Sequence, residues 1–264
     1  ENYLVVNDNK VTLFRERDLQ KINWKSANVD YVIDSTGVFK TMDKASVHLK
    51  NGAKKVIITA PSEDAPMYVV GVNSDKYNKS QKIVSNSSCT TNCLAPIAKV
   101  INDNFGIEEG FISTVHSITS SQNTLDGRNS KRIRIGRSSQ NIIPATTGAT
   151  KALGVVIPEL NKKITGLSYR VPTCNVSIID FSFRTKKETS YSEIIEKIKE
   201  ESNNKMKGIL SYNDEELVSS DYIGNSNSSI VDVSLGKEIG KNFFKVVAWY
   251  DNEWGYSNRV VDLL

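Results

Sequence analysis

Residues 29–59 read VDYVIDSTGVFKTMDKASVHLKNGAKKVIIT. Two β-branched runs, at 29–34 and 55–59, flank a segment at 43–49 that reads as a short helix, ended by Asn51-Gly52. Strand, helix and strand in this order make a βαβ unit, and the near-continuous apolarity of both runs predicts strands covered on both faces. Working outward, residues 3–6 (Tyr-Leu-Val-Val) and 11–14 (Val-Thr-Leu-Phe) share the strand character. The first part of the chain is therefore expected to be α/β around a parallel sheet. Beyond residue 88 the pattern changes. Runs around 111–115, 164–171, 176–183 and 243–249 alternate, as strands with one wet face do, and 190–202 forms an amphipathic helix with Ile194, Ile195 and Ile198 inward. This half reads as α+β, a mostly antiparallel sheet backed by helices. There is no repeat, low-complexity tract or linker, so the transition near residue 88 is a change of layer rather than a tether.

The 264 residues, 39% hydrophobic and 24% charged, suffice for one large domain or two ordinary ones and exclude disordered and collagen-like chains. Lys and Arg exceed Asp and Glu by 34 to 30, a mild excess that suits anionic ligands and permits nucleic acid without demanding either. No apolar run approaches the roughly 18 residues of a membrane span, and the mean hydropathy of −0.35 is that of a soluble protein. The three cysteines, Cys89, Cys93 and Cys174, cannot all pair, which favours a reducing compartment and hence the cytoplasm. Cys89 and Cys93 are four apart, but the remaining soft donors, Cys174, His48 and His116, are scattered, so no metal is expected.

Residues 85–96, SNSSCTTNCLAP, run from strand through polar turn to helix and put Cys89 at the turn. The partial positive charge at a helix start favours thiolate, which makes Cys89 a nucleophile candidate; a small buried residue in a capping turn is the plainer alternative. Pro96 implies a kink or a later helix start, with the regular helix over 97–104. His116 ends the apolar run 111–115, where an imidazole suits a base for the thiol or is a satisfied surface group. His48, on the polar side of its helix, reads as an ordinary surface histidine. The loop 117–139 carries Arg128, Lys131, Arg132, Arg134 and Arg137, an anion site or a solvated face. Thr147 and Gly148, within PATTGATK at 144–151, precede a helix and offer a phosphate cradle or a plain N-cap. Arg170, closing a strand, is a candidate bidentate clamp for phosphate or carboxylate, a weak signal taken alone.

Together these residues resemble the phosphorylating glyceraldehyde-3-phosphate dehydrogenase family. The family's S-C-T-T-N-C signature stands at residues 88–93, followed by Leu94-Ala95-Pro96. Further similar stretches are DSTGVF at 34–39, TAPS at 59–62, NIIP at 141–144, RVPT at 170–173 and WYDNEWGYSNR at 249–259. The resemblance implies NAD-dependent oxidation of glyceraldehyde 3-phosphate to an acyl phosphate through a thioester on Cys89, with His116 as base. It implies Thr119 and Arg170 on the substrate's phosphate, and Ser88, Thr90, Thr147 and Gly148 on the attacking inorganic phosphate. Thr36, Gly37, Thr59 and Asn252 would line the NAD site, and the assembly would be a homotetramer. The implied domains are a partial dinucleotide-binding domain over 1–88, with 253–264 packing back onto it, and a catalytic domain over 89–252. No G-x-G occurs in the chain, so the Rossmann-type sheet is expected to be incomplete, its first Gly-rich βαβ unit missing. The start at Glu1 in mid-strand and the stop at Leu264 suggest a partial sequence. Arg128 to Ile135 is more basic than the family's usual loop, with Ile133, Ser121 and Asn123 as departures. Two other readings are a non-catalytic relative binding RNA or anions through that loop, and oxidation of erythrose 4-phosphate by the same machinery.

Overall fold

The computed structural model describes residues 2–125, 134 and 136–264; Arg128, Lys131, Arg132, Ile133 and Ile135 lie outside the described residues. By its internal contacts the chain divides into two units, Glu1–Met67 with Tyr77–Asn86 and Leu264, and Tyr68–Lys76 with Ser87–Leu263. Among the described residues no helix is long and apolar enough to cross a membrane.

The first unit contains the βαβ succession read from the sequence. Strand β3 (Tyr31–Asp34), helix α1 (Met42–Lys50) and strand β4 (Lys55–Ile58) follow in order, and β5 (Ile83–Ser85) completes a parallel sheet ordered β3-β4-β5. Thr41 caps α1 by accepting from the Lys44 N–H. Ala45 packs with Val56, Ile58, Ala65 and Ile83 into the core of this unit. The two strands are not equally covered. Central β4 is buried from Val56 to Ile58, whereas β3 buries Val32 and Asp34 and leaves Tyr31 and Ile33 exposed. An edge strand with a helix on one side shows ordinary alternation even where its sequence is apolar throughout. The two earliest strands, β1 (Tyr3–Val6) and β2 (Asn9–Thr12), are an antiparallel hairpin outside the parallel sheet. Asn7 and Asp8 between them both have positive φ, as a two-residue hairpin turn requires.

In the second unit, α2 (Cys89–Phe105) begins at the cysteine itself and runs through Pro96. The expected later start is therefore wrong: Ser88 caps the helix by accepting from Thr91, and burial of nearly every residue from Thr90 to Ile101 outweighs the hydrogen bond proline removes. Strand β6 (Ile107–Ser117) follows at once, and β7 (Ile143–Thr146), α3 (Ala149–Val156), β8 (Ile164–Val171), β9 (Ser177–Thr185), α4 (Tyr191–Asn203), β10 (Leu210–Asn213), β11 (Ser229–Ile239), β12 (Phe243–Tyr250) and α5 (Trp254–Asp262) complete the unit. Seven strands form one sheet ordered β10-β11-β12-β9-β6-β8-β7. It is antiparallel except for the β10/β11 and β6/β8 pairs. Helix α2 lies against its middle strands, and Phe181, Phe183 and Phe244 interlock beneath with ring centroids 4.8 and 5.9 Å apart. Strands β7, β10 and β11 are additions to the sequence reading; β7, four residues with Pro144 inside, hides within the segment read as a phosphate cradle.

Candidate functional site

Chain arithmetic brings the first two residues of the site together. Helix α2 is about 25 Å long at 1.5 Å per residue, and β6 returns about 30 Å from Ile107 to His116 at 3.3 Å per residue. The end of the strand therefore comes back to the start of the helix, with Cys89 Sγ 3.5 Å from His116 Nε2. The parallel register of β6 and β8 sets His116 directly beside Arg170 and so supplies the third. Arg170 Nη1 lies 2.5 Å from His116 Nδ1 and donates to the Ser117 carbonyl at 3.1 Å.

Around this trio the packing is close. Tyr250, fully buried on β12, meets the hydroxyls of Thr90 (3.0 Å) and Thr114 (2.9 Å) and sets its ring edge-on to His116 at 5.9 Å. Ser87 adopts φ +57 just ahead of the cap, and its carbonyl accepts from Tyr256 on α5 at 2.9 Å. Cys93 is buried one turn along the helix, where Ser229 is its partner, and Cys174 is exposed.

Electrostatics corrects one expectation. The helix start does not by itself ionise Cys89: burial pushes its thiol up, outweighing the Thr90 hydrogen bonds and the Arg170 charge that pull it down. His116 is held down at about 4 by burial and then by Arg170. The pair rests as thiol and neutral imidazole.

The remaining expected residues divide into two groups. Ser88 spends its hydroxyl on capping, beside that of Thr91 (2.8 Å). Thr90, expected on the attacking phosphate, turns inward instead, toward Tyr250 and the Cys89 thiol, because the first turn of α2 is buried against the sheet. Thr147 accepts from the Ala149 N–H, and Gly148 opens α3 with no side-chain cap, leaving N–H groups of the first turn available to an anion. Thr119 hydrogen-bonds Ser121 and Gln122 in a loop tied to the end of β8 by the Ile118 N–H on the Thr173 carbonyl.

The expected cofactor residues are distributed over both units. In the second, buried Asn252 accepts from the hydroxyls of Ser117 and Ser177 (2.9 Å each) through Oδ1, which fixes its amide so that Nδ2 faces the other way and donates to Glu253 Oε1 (3.3 Å). In the first, Thr36 and Gly37 sit in an exposed turn after β3; Gly37 has φ +68, and a Cβ there would meet nothing within 4 Å. Thr59 anchors to the Asp34 carbonyl through its N–H (3.0 Å) and hydroxyl (3.2 Å). Within the second unit an oriented side-chain amide suits a nicotinamide carboxamide, and within the first an open glycine turn lets a dinucleotide approach the backbone closely, so the residues of each unit fit NAD.

His48 departs from its reading. It is 3% exposed and joins Asp34 and Trp24 in a buried polar cluster. The signal was present in the helix spacing, since Ala45, His48 and Leu49 stand at i, i+3 and i+4 on the face that meets the sheet.

Comparison with known proteins matches residues 88–252 to the profile for the glyceraldehyde 3-phosphate dehydrogenase C-terminal domain and residues 1–42 to that for the family's NAD binding domain. Glyceraldehyde-3-phosphate dehydrogenase 2 of Drosophila melanogaster is 58% identical over 99% of this chain and 79% of its own length. The muscle glyceraldehyde-3-phosphate dehydrogenase of Jaculus orientalis is 57% identical over 99% of this chain and 72% of its own length, and the glyceraldehyde-3-phosphate dehydrogenase of Atriplex nummularia is 56% identical over 100% of this chain and 74% of its own length.

Proposed function

Because the chain belongs to the glyceraldehyde-3-phosphate dehydrogenase family and has that family's NAD-dependent phosphorylating activity, we propose that Cys89 and His116 carry the chemistry and Arg170 governs it. The observation that carries this reading is the 3.5 Å approach of Cys89 Sγ to His116 Nε2, beside a guanidinium in strand register.

His116 Nε2 takes the thiol proton and passes it to the carbonyl oxygen as the sulfur bonds to the aldehyde carbon, which leaves a hydroxyl on the adduct and the imidazole neutral again. For Nε2 to be the bare nitrogen, Nδ1 must carry its hydrogen and donate to the Ser117 carbonyl, 2.8 Å away. While Arg170 Nη1 sits 2.5 Å from Nδ1 it favours the opposite tautomer, with the hydrogen aimed at the sulfur. A phosphate group that draws Arg170 away releases Nδ1 and arms the base. His116 then takes the hydroxyl proton as the adduct collapses to a thioester on Cys89. Bound NAD supplies the acceptor for the hydride that leaves in this oxidation. Asn252 of the second unit would hold the nicotinamide carboxamide through its side-chain amide, and Thr36, Gly37 and Thr59 of the first unit would line the cofactor there. Inorganic phosphate held by Ser88, Thr147 and Gly148 attacks the thioester carbon, the sulfur leaves as thiolate, and an acyl phosphate departs. Thr119 and Arg170 hold the substrate's own phosphate. Thr90 serves the thiol rather than the phosphate.

Residues 1–88 are assigned to the cofactor and 89–252 to the chemistry. The proposed assembly is a homotetramer, and support comes from the sheet face away from the helices. There Phe111 and Val115 of β6 and Leu167 of β8 stand 67%, 39% and 41% exposed on one side of paired strands, an apolar face suited to a second copy. The proposed compartment is the cytoplasm, supported by three unpaired thiols, one of them a nucleophile. Stoichiometric alkylation of Cys89 is expected to abolish aldehyde- and phosphate-dependent NADH formation; an unchanged rate after labelling overturns the assignment.

A further inference from the structure

We propose that His48 is a positioning residue for the cofactor turn: through Asp34 it fixes Thr36 and Gly37 in the conformation that receives the dinucleotide. The proposal rests on the reading of Thr36 and Gly37 as cofactor-lining residues. Its basis is a chain of hydrogen bonds whose direction the chemistry dictates. Trp24 Nε1 stands 3.1 Å from His48 Nδ1, and an indole N–H donates only, so Nδ1 is the bare nitrogen. The ring hydrogen is therefore on Nε2, which donates to Asp34 Oδ2 at 3.1 Å. The two hydrogen bonds together hold the imidazole in one tautomer.

The other carboxylate oxygen serves the turn. Asp34 Oδ1 accepts from the Thr36 N–H (2.9 Å) and from its hydroxyl (2.6 Å), and Thr36 Oγ1 in turn accepts from the Val38 N–H (3.1 Å). Burial alone would push the Asp34 carboxyl up, but the hydrogen bonds from His48 and Thr36 prevail and hold it below the usual range, so it stays a strong acceptor. Phe39 closes the cluster with its ring edge-on to His48 at 6.3 Å. Trp24, His48 and Asp34 come from three separate segments, yet their polar atoms converge on the short turn after β3, where Gly37 takes φ +68. A left-handed glycine in an exposed turn has much freedom to lose on binding, and fixing it beforehand lowers that loss.

The test measures NAD binding by calorimetry alongside KM for NAD and kcat. Substituting His48→Leu is expected to raise the dissociation constant of NAD about tenfold, the size of one lost hydrogen bond to a charged group. KM for NAD follows, while kcat and the alkylation rate of Cys89 without NAD stay unchanged. His48→Gln, whose carbonyl can accept from Trp24 and whose amide can donate to Asp34, restores binding to within about twofold by keeping the same hydrogen bonds. A His48→Leu protein that melts earlier but binds NAD normally overturns the proposal and leaves His48 a packing residue. The control is Thr36→Val. If it weakens NAD binding while His48→Leu does not, the cofactor reading stands and the His48 link falls; if neither weakens binding, the cofactor reading of the turn falls with it. Should His48→Leu fail to fold, Trp24→Phe takes its place: a rise in the dissociation constant of about threefold, for one neutral hydrogen bond, supports the link, and unchanged binding overturns it.

Discussion

Arg170 and His116 press on each other, and the consequences can be measured. His116 is held at about 4 by burial and by the guanidinium, and Arg170→Gln removes the second cause, so its titration followed by NMR should move up toward the ordinary 6.5. An unmoved titration would mean the guanidinium does not act on the ring. The depressed value has a sign for stability as well. Between about pH 6.5 and 4 the unfolded chain takes up a proton that folded His116 refuses, so stability falls as pH drops through that window, and less so in Arg170→Gln. Replacing His116 by Asn is expected to lower kcat about 10²- to 10⁴-fold, the usual contribution of a general base, with the fold retained by thermal melting. Cys89 and His116 were legible because a dense motif and a strand end each marked them. The inward turn of Thr90 and the polar partners of His48 were not, because side-chain direction in a first helical turn depends on what packs above it, and Trp24 and Asp34 reach His48 from distant positions.

Strand pairing carries the site, so small changes in β8 should register at the thiol. A Cβ on Gly166 would stand 2.2 Å from the Ile112 carbonyl oxygen in neighbouring β6. Gly166→Ala must push the two strands apart, with an expected loss of about 2 to 3 kcal/mol from overpacking. Because His116 and Arg170 are partners in the same ladder, kcat should fall along with the melting temperature. Helix α4 provides the contrast. Ser190 and Glu193 form its capping box, and Ser190→Ala should lower stability by about 1 kcal/mol with kcat unchanged. Equal effects of the two substitutions on kcat would refute the role given to the β6/β8 ladder. Helices α1, α2 and α4 were readable from periodicity and caps, whereas β7, β10 and β11 were not: two are four residues long and the third breaks register between Asp232 and Lys237. Short or bulged strands give too few alternations to distinguish from a turn.

Over the whole chain, the apolar sheet face of the second unit sets the expectation for assembly. Phe111→Glu places a charge at its most exposed large side chain and should shift sedimentation from tetramer to smaller species, because a buried unpaired carboxylate strongly disfavours association. Sedimentation unchanged from the parent protein would move the interface elsewhere. The change from a parallel to a mixed sheet was legible from the change of hydrophobic period near residue 88, since that period reports which faces each sheet must cover. The membership of α5 in the second unit was not, because it depends on individual long-range bonds such as Arg259 to the Gly208 carbonyl (2.7 Å). One such bond sets the order of events at the ribosome. The turn that aims the nucleophile is fastened by Tyr256, 169 residues downstream, which at roughly 5 to 20 residues per second means about ten to thirty seconds of further translation. The nascent polypeptide thus carries an unaimed sulfur until that distant segment leaves the exit tunnel, and the turn is fastened only then.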